Sequence, residues 1–210
     1  MTLSQSTYTK EHLLADLAKA RPFDEKERRD LDATIRFVRE DGNPFDRKNF
    51  KGHVTGAGFL LSPDFESVLL THHAALDKWL QFGGHADGEA DIRNVALRET
   101  EEESGKSDIR LLSEAIFDVD AHEIPENPKR GEPRHIHYDI RYLLQARSFD
   151  FRVSQESNGL KWVPLRDLLP MPVAPEMKRL AVKAQRMIRA EKLDLAEIPF
   201  VSGRLTDETR

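Results

Sequence analysis

Three glutamates stand at i, i+3 and i+4 in one short segment of this chain: Glu99, Glu102 and Glu103. Gly83-Gly84 and Gly105 bracket that segment, and Arg98 directly precedes the first glutamate. In a helix, this spacing puts the three carboxylates on one face, while Glu101 points away. Three like charges side by side repel, and a scaffold gains nothing from the arrangement. A hard divalent cation with oxygen ligands removes the penalty. A bare charge run is usually a solvated surface. The preceding arginine and the flanking glycines, which permit close backbone approach, tip the reading towards a site. The fold must therefore offer a helix at this point.

The texture on either side supplies that setting. Residues 91–104 read as a charged helix with Ile92, Val95 and Ala96 facing inward and Gly105 at its C-terminal cap. Before it come β-like runs at 53–61 and 67–73 around a turn at Ser62, Pro63 and Asp64. A third run covers 79–82 and is expected to stop at Gly83-Gly84. After the helix, strands are expected at 111–121, 136–146 and 160–164, with a flexible loop at 126–134. A final amphipathic helix covers about 174–192. Towards the N-terminus, 8–21 and 24–39 read as two helices. Thr9 caps the first and Pro22 lies beyond it; Leu31, Ile35 and Val38 line the second. The expected class is α/β (α+β), a mixed sheet with helices packed against it. The expected division is a helical extension over 1–50, a catalytic domain over 51–195 and a polar tail over 196–210.

The chain has 210 residues with 39% hydrophobic and 33% charged, the balance of a soluble globular protein. Its net charge of −5 argues against broad binding to a nucleic acid polymer or an anionic membrane. The absence of cysteine excludes disulfides, thiolate metal sites and cysteine nucleophiles. With no apolar run of membrane-spanning length, the expected location is cytoplasmic.

The segment from Gly84 to Lys106 resembles the Nudix box of the Nudix hydrolase family. That pattern is a glycine, five residues, a glutamate, seven residues, then arginine-glutamate, one apolar, any, glutamate-glutamate, any, glycine, one apolar. Gly84, Arg98, Glu99, Glu102, Glu103 and Gly105 fall on its positions. The box's first glutamate is replaced by Ala90, with Glu89 one residue early and Asp91 one late. Thr100 and Lys106 occupy its two apolar positions. Residues from about 53 to 168 are similar to a bacterial subgroup with a histidine-histidine strand, a tryptophan and a GGHxDG lead-in. Phe82 stands where that subgroup has proline. The resemblance implies an α/β/α sandwich with a mixed sheet and hydrolysis of a nucleoside diphosphate linked to another group. It implies Mg²⁺, or Mn²⁺, as cofactor on Glu99, Glu102 and Glu103. Arg98 would orient a glutamate through a charge-assisted contact.

Seven of the eight histidines lie between His53 and His137. His135 and His137 share a strand face with Asp139, whereas His72 and His73 face opposite sides. His85, His135 and His137 are candidates for contacts to substrate phosphate, with a histidine metal site as a further option. Phe82 is a candidate substrate contact, and Trp79, Phe117 and Tyr138 could stack on a base or fill the core. The general base is expected to be a box glutamate, Glu102 or Glu103, or else Glu156, ahead of a strand at 160–164. The expected partner is a small nucleotide: a nucleotide sugar, a dinucleotide or a nucleoside triphosphate. A homodimer through the N-terminal helices is a further expectation. A Nudix-fold isomerase ranks low, because that chemistry resembles a pattern with a catalytic cysteine. A nucleotide-sensing module without hydrolysis is the alternative, and loss of the glutamates would mark it.

Overall fold

The computed structural model describes residues 8–74, 76–129, 131–153 and 157–191. Four helices and eight strands follow in the order α1 (Lys10–Leu17), α2 (Glu25–Glu40), β1 (His53–Leu61), β2 (Ser67–His73), β3 (Lys78–Leu80), β4 (Phe82–His85), α3 (Ile92–Ser104), β5 (Ile109–Leu111), β6 (Asp118–Ile124), β7 (His135–Ala146), β8 (Ser157–Pro164) and α4 (Pro175–Glu191). All eight strands join one mixed sheet. β1 and β7 run parallel at its centre over nine registered pairs, from His53 opposite His137 to Leu61 opposite Gln145. The other pairings are antiparallel: β4 and β2 on β1, β5 and β6 on β7, and β3 and β8 on β2.

Alternation along β1 sets the layers. Val54 and Leu60 enter a core shared with Leu13 and Leu17 of α1, Leu31 and Val38 of α2, and Ile92, Val95 and Ala96 of α3. Phe59 and Leu61 enter a second core with Met177, Leu180, Ala181 and Ala184 of α4. A period of two sends neighbouring side chains to opposite faces, so the sheet lies between α1–α3 and α4. This is the expected α/β/α sandwich. The approach of α3 to the sheet depends on glycine: a Cβ on Gly56 would lie 2.8 Å from Val95 Cγ1 and 2.9 Å from Ile92 Cγ2.

Two strand expectations need correction. The run over 111–121 is two strands, β5 and β6. Leu111 pairs with Leu144 and Asp118 with Arg141, so residues 112–117 face only 142–143 of β7 and loop outward. Leu112 and Phe117 still donate backbone hydrogen bonds to Leu143 and Arg141. The run over 79–82 also divides at Gln81, with β3 on β2 and β4 on β1. Gly83-Gly84 therefore do not stop a strand; they lie inside β4, opposite Ala57 and Gly56. The first helix is shorter than expected, and Arg21 and Pro22 lie beyond its end.

A buried ion network fastens the layers at one edge. Asp118 of β6 takes contacts from Arg141 of β7 and from Arg179 and Lys183 of α4. Lys183 also pairs with Glu27 of α2, and Lys26 pairs with Asp120. Arg141 reaches Asp139 and Asp120 as well. Among the described residues no helix is long and apolar enough to cross a membrane.

Candidate active site

The site begins where β4 meets α3. Asp91 caps α3, its carboxylate accepting from Arg93 N–H and pairing with the Arg93 guanidinium. Gly105 ends the helix in the left-handed conformation, at φ 64°, where a Cβ would be strained. Between these caps, Glu99, Glu102 and Glu103 share a face as the spacing predicts.

β4 presses its backbone against that face. A Cβ on Gly84 would overlap the Glu99 carboxylate. The Gly83 N–H donates to Glu103 Oε1 at 3.2 Å. Arg98 forks between two partners, donating from Nη1 to Glu99 Oε1 at 2.5 Å and from Nη2 to the His85 carbonyl at 3.2 Å. It therefore fixes Glu99 to the end of β4. Burial lifts the Glu99 carboxyl above its ordinary range, against the pull of Arg98; Glu102 and Asp87 add like-charge repulsion. Glu102 is exposed and Glu103 half-buried. Carboxylate oxygens gathered on one helix face and closed on one side by a Cβ-free backbone fit a hard cation such as Mg²⁺ or Mn²⁺.

The departures from the box acquire structural reasons. Glu89 accepts from the Asp91 N–H, and Asp91 is spent on capping α3. Thr100 is buried and returns its hydroxyl to the Ala96 carbonyl. Lys106, on an apolar position of the pattern, is buried as well. Its ammonium donates to the carbonyls of Ser148 and Asp150 and pairs with Asp108 at 2.9 Å.

The histidines converge beside this site. His53 of β1 and His137 of β7 are register partners, and His85 enters from β4, on the other side of β1. Their ring centroids lie 4.6 to 5.3 Å apart. His135 joins them, its Nε2 3.2 Å from His137 Nε2 and its Nδ1 2.7 Å from the Pro133 carbonyl. Burial, then neighbouring positive charge, holds His85 down at about 4; burial and the other rings hold His137 down at about 2. His53 is also lowered, chiefly by burial. His85 is linked to the glutamates by way of its carbonyl and Arg98.

Other expected contacts fall elsewhere. Phe82 is wholly buried in the core, so its ring offers no face to a ligand, and the expectation of a substrate contact there is corrected. Phe117 is buried in the second core, and Tyr138 stacks on Phe37 of α2 at 4.2 Å. Trp79 lies against His72 at 4.9 Å. Glu156 lies outside the described residues. His53 was not among the residues singled out from sequence. The signal for it is register across parallel strands, which no local pattern carries.

Known proteins bear on this geometry. The NUDIX domain matches residues 52–183. The solved structure of a possible asymmetric diadenosine tetraphosphate (Ap4A) hydrolase of Jonesia denitrificans is similar at a TM-score of 0.51 and 16% identity, over 64% of this chain and 95% of that one. At that identity the likeness is one of fold. An Ap4A hydrolase of C. elegans superposes at 0.49 with 18% identity, over 65% of this chain and 97% of its own. A MutT protein of Methanosarcina mazei superposes at 0.49 with 18% identity, over 69% and 98%. No curated protein matches the chain.

Proposed function

The chain belongs to the Nudix hydrolase family, and from that premise we propose that it is a divalent-metal-dependent pyrophosphohydrolase that cleaves the diphosphate linkage of a nucleoside diphosphate derivative. One observation carries this reading: the intact face of Glu99, Glu102 and Glu103, closed by Gly83-Gly84 and braced by Arg98. A module that had given up hydrolysis would have no need of that full set.

Glu99, Glu102 and Glu103 would hold Mg²⁺ or Mn²⁺, which when bound offsets charge on the diphosphate and lowers the pKa of water. Arg98 keeps Glu99 in one orientation and ties it to β4. Glu103 is held from β4 by the Gly83 N–H. Water attacks one phosphorus as its proton passes to a glutamate of this face, and the bond from that phosphorus to the bridging oxygen breaks. The leaving phosphate departs with the bridging oxygen. In this reading His85, half-buried one residue along β4 from Gly84, and His137, half-buried with its ring against that of His85, contact the substrate phosphates.

The test is turnover of a panel of nucleotide sugars, dinucleotides and nucleoside triphosphates with Mg²⁺ or Mn²⁺, comparing wild type with Glu103→Gln. Phosphate release is followed directly or after a phosphatase. Metal-dependent turnover is expected, lower by about 100-fold or more in the variant. Nucleotide binding without turnover across the panel, unchanged by Glu103→Gln, would overturn the proposal.

A further inference from the structure

We propose that His53, His85 and His137 form a second cation site, selective for a zinc-class transition-metal dication and separate from the glutamate face of α3. One ring nitrogen from each histidine lies within 4.8 Å of the other two. Around a tetrahedral zinc ion, ligand nitrogens sit about 3.4 Å apart, given zinc–nitrogen bonds near 2.1 Å. Binding an ion there requires the three rings to draw their nitrogens together from the 4.8 Å span.

A second observation points the same way. His53 is 1% exposed, and its Nε2 is the buried side-chain nitrogen without a hydrogen-bond partner among the described residues. Leaving such an atom unsatisfied costs about 1–3 kcal/mol, and buried polar atoms in native proteins are nearly always paired. A metal ion satisfies it outright. The ordinary alternative is a set of histidines that satisfy one another, and it leaves this nitrogen unexplained.

The surroundings suit a metal. The three backbones are held by hydrogen-bonded neighbours: β1 lies between β7, which brings His137 opposite His53, and β4, where His85 pairs with Thr55. The other nitrogen of His53, Nδ1, lies 3.4 Å from the Asn49 carbonyl. His135 is anchored by the Pro133 carbonyl and meets Nε2 of His137, which sets the nitrogen on which His137 keeps its lone pair. Carbonyl-anchored histidines of this kind orient first ligands in known metal sites.

Ligand chemistry separates the two sites. Imidazole nitrogens favour zinc, nickel or copper, whereas the carboxylates of α3 favour magnesium or manganese. An ion here ties together the ends of three strands, one residue along β4 from the point where Gly84 meets Glu99. The inference does not depend on the hydrolytic reading, and its test uses no turnover.

The experiment uses the full chain without a histidine tag, stripped with chelator. Zn²⁺ is titrated against a chromogenic chelator in the presence of millimolar Mg²⁺, and Co²⁺ spectra are recorded on the wild-type protein. The expected result is one tight equivalent, with cobalt d–d bands of tetrahedral intensity. Glu99→Gln should retain it, and His53→Asn and His137→Asn should each weaken it by about 100-fold or more. The cobalt spectrum of the wild type reads the site even where a histidine variant folds poorly. The proposal fails if Zn²⁺ binds no tighter than about 10 µM. It also fails if binding is lost in Glu99→Gln, or if folded His53→Asn and His137→Asn, checked by circular dichroism, bind as wild type does.

Discussion

Gly84 shows how much one missing Cβ decides. Its α-hydrogen faces the Glu99 carboxylate across the gap between β4 and α3, and a methyl group there would overlap that carboxylate. The obstacle is the end of a flexible side chain, so the chain can fold around it by displacing Glu99. Gly84→Ala is therefore expected to keep its circular dichroism spectrum and most of its thermal stability. Turnover should fall by about 100-fold, since a displacement of about 1 Å in a catalytic group has that effect. Comparing melting temperature with turnover in one preparation checks this. A variant that melts early and also loses activity would mean that Gly84 is needed for the fold.

At the scale of elements, α3 is held at both ends by polar groups that the Nudix pattern does not predict. Asp91 closes its start, and Lys106, just past Gly105, reaches under the chain to the carbonyls of Ser148 and Asp150. That contact ties the end of α3 to the segment that follows β7. Lys106→Leu restores the apolar residue of the family pattern and yet should be less stable. It removes a donor from the Ser148 and Asp150 carbonyls and from Asp108, in a half-buried setting where each lost hydrogen bond costs about 0.5–1.5 kcal/mol. Denaturant unfolding is expected to show a loss of about 2 kcal/mol with an unchanged slope. A gain in stability would show that the pattern outweighs local hydrogen bonding. The corrected strands teach a similar lesson. Residues 111–121 are apolar enough for one strand, but β7 offers partners only at the two ends of that run.

Over the whole molecule, the network around Asp118 joins α2, β6, β7 and α4 in one buried cluster of charge. Burial alone would raise the carboxyls of Asp118 and Asp120. Arg141, Arg179 and Lys183 around Asp118 outweigh it, as do His122, Arg141 and Lys26 around Asp120, and both are held below the ordinary 3.8. Carboxyls depressed in the native state add stability that is present above the unfolded value and lost as pH falls below it. Glu27, raised by burial and by Asp118 despite Lys183, acts in the opposite sense as pH rises through its own titration. The melting temperature of wild type should therefore fall steeply as pH drops below about 4. Asp118→Asn should lower stability by about 3–5 kcal/mol near neutrality, because three buried cations lose their shared counter-ion. Its acid slope should also be shallower. Parallel slopes in the two proteins would show that other carboxylates govern acid unfolding.

The sequence by itself determined the glutamate face, because i, i+3 and i+4 spacing is a property of any helix. It also determined the C-terminal cap at Gly105 and the strand over 53–61. These are local matters, set within a few residues along the chain. Tertiary structure alone decided that Gly83-Gly84 lie in a strand against Glu99 and that Phe82 is core. It decided too that His53 meets His137 and His85, and that Asp118 finds its cations on a helix some 60 residues away. Each of these depends on register between segments distant in sequence. Register is set by which faces bury together across the whole sheet, and no window of neighbouring residues contains that information.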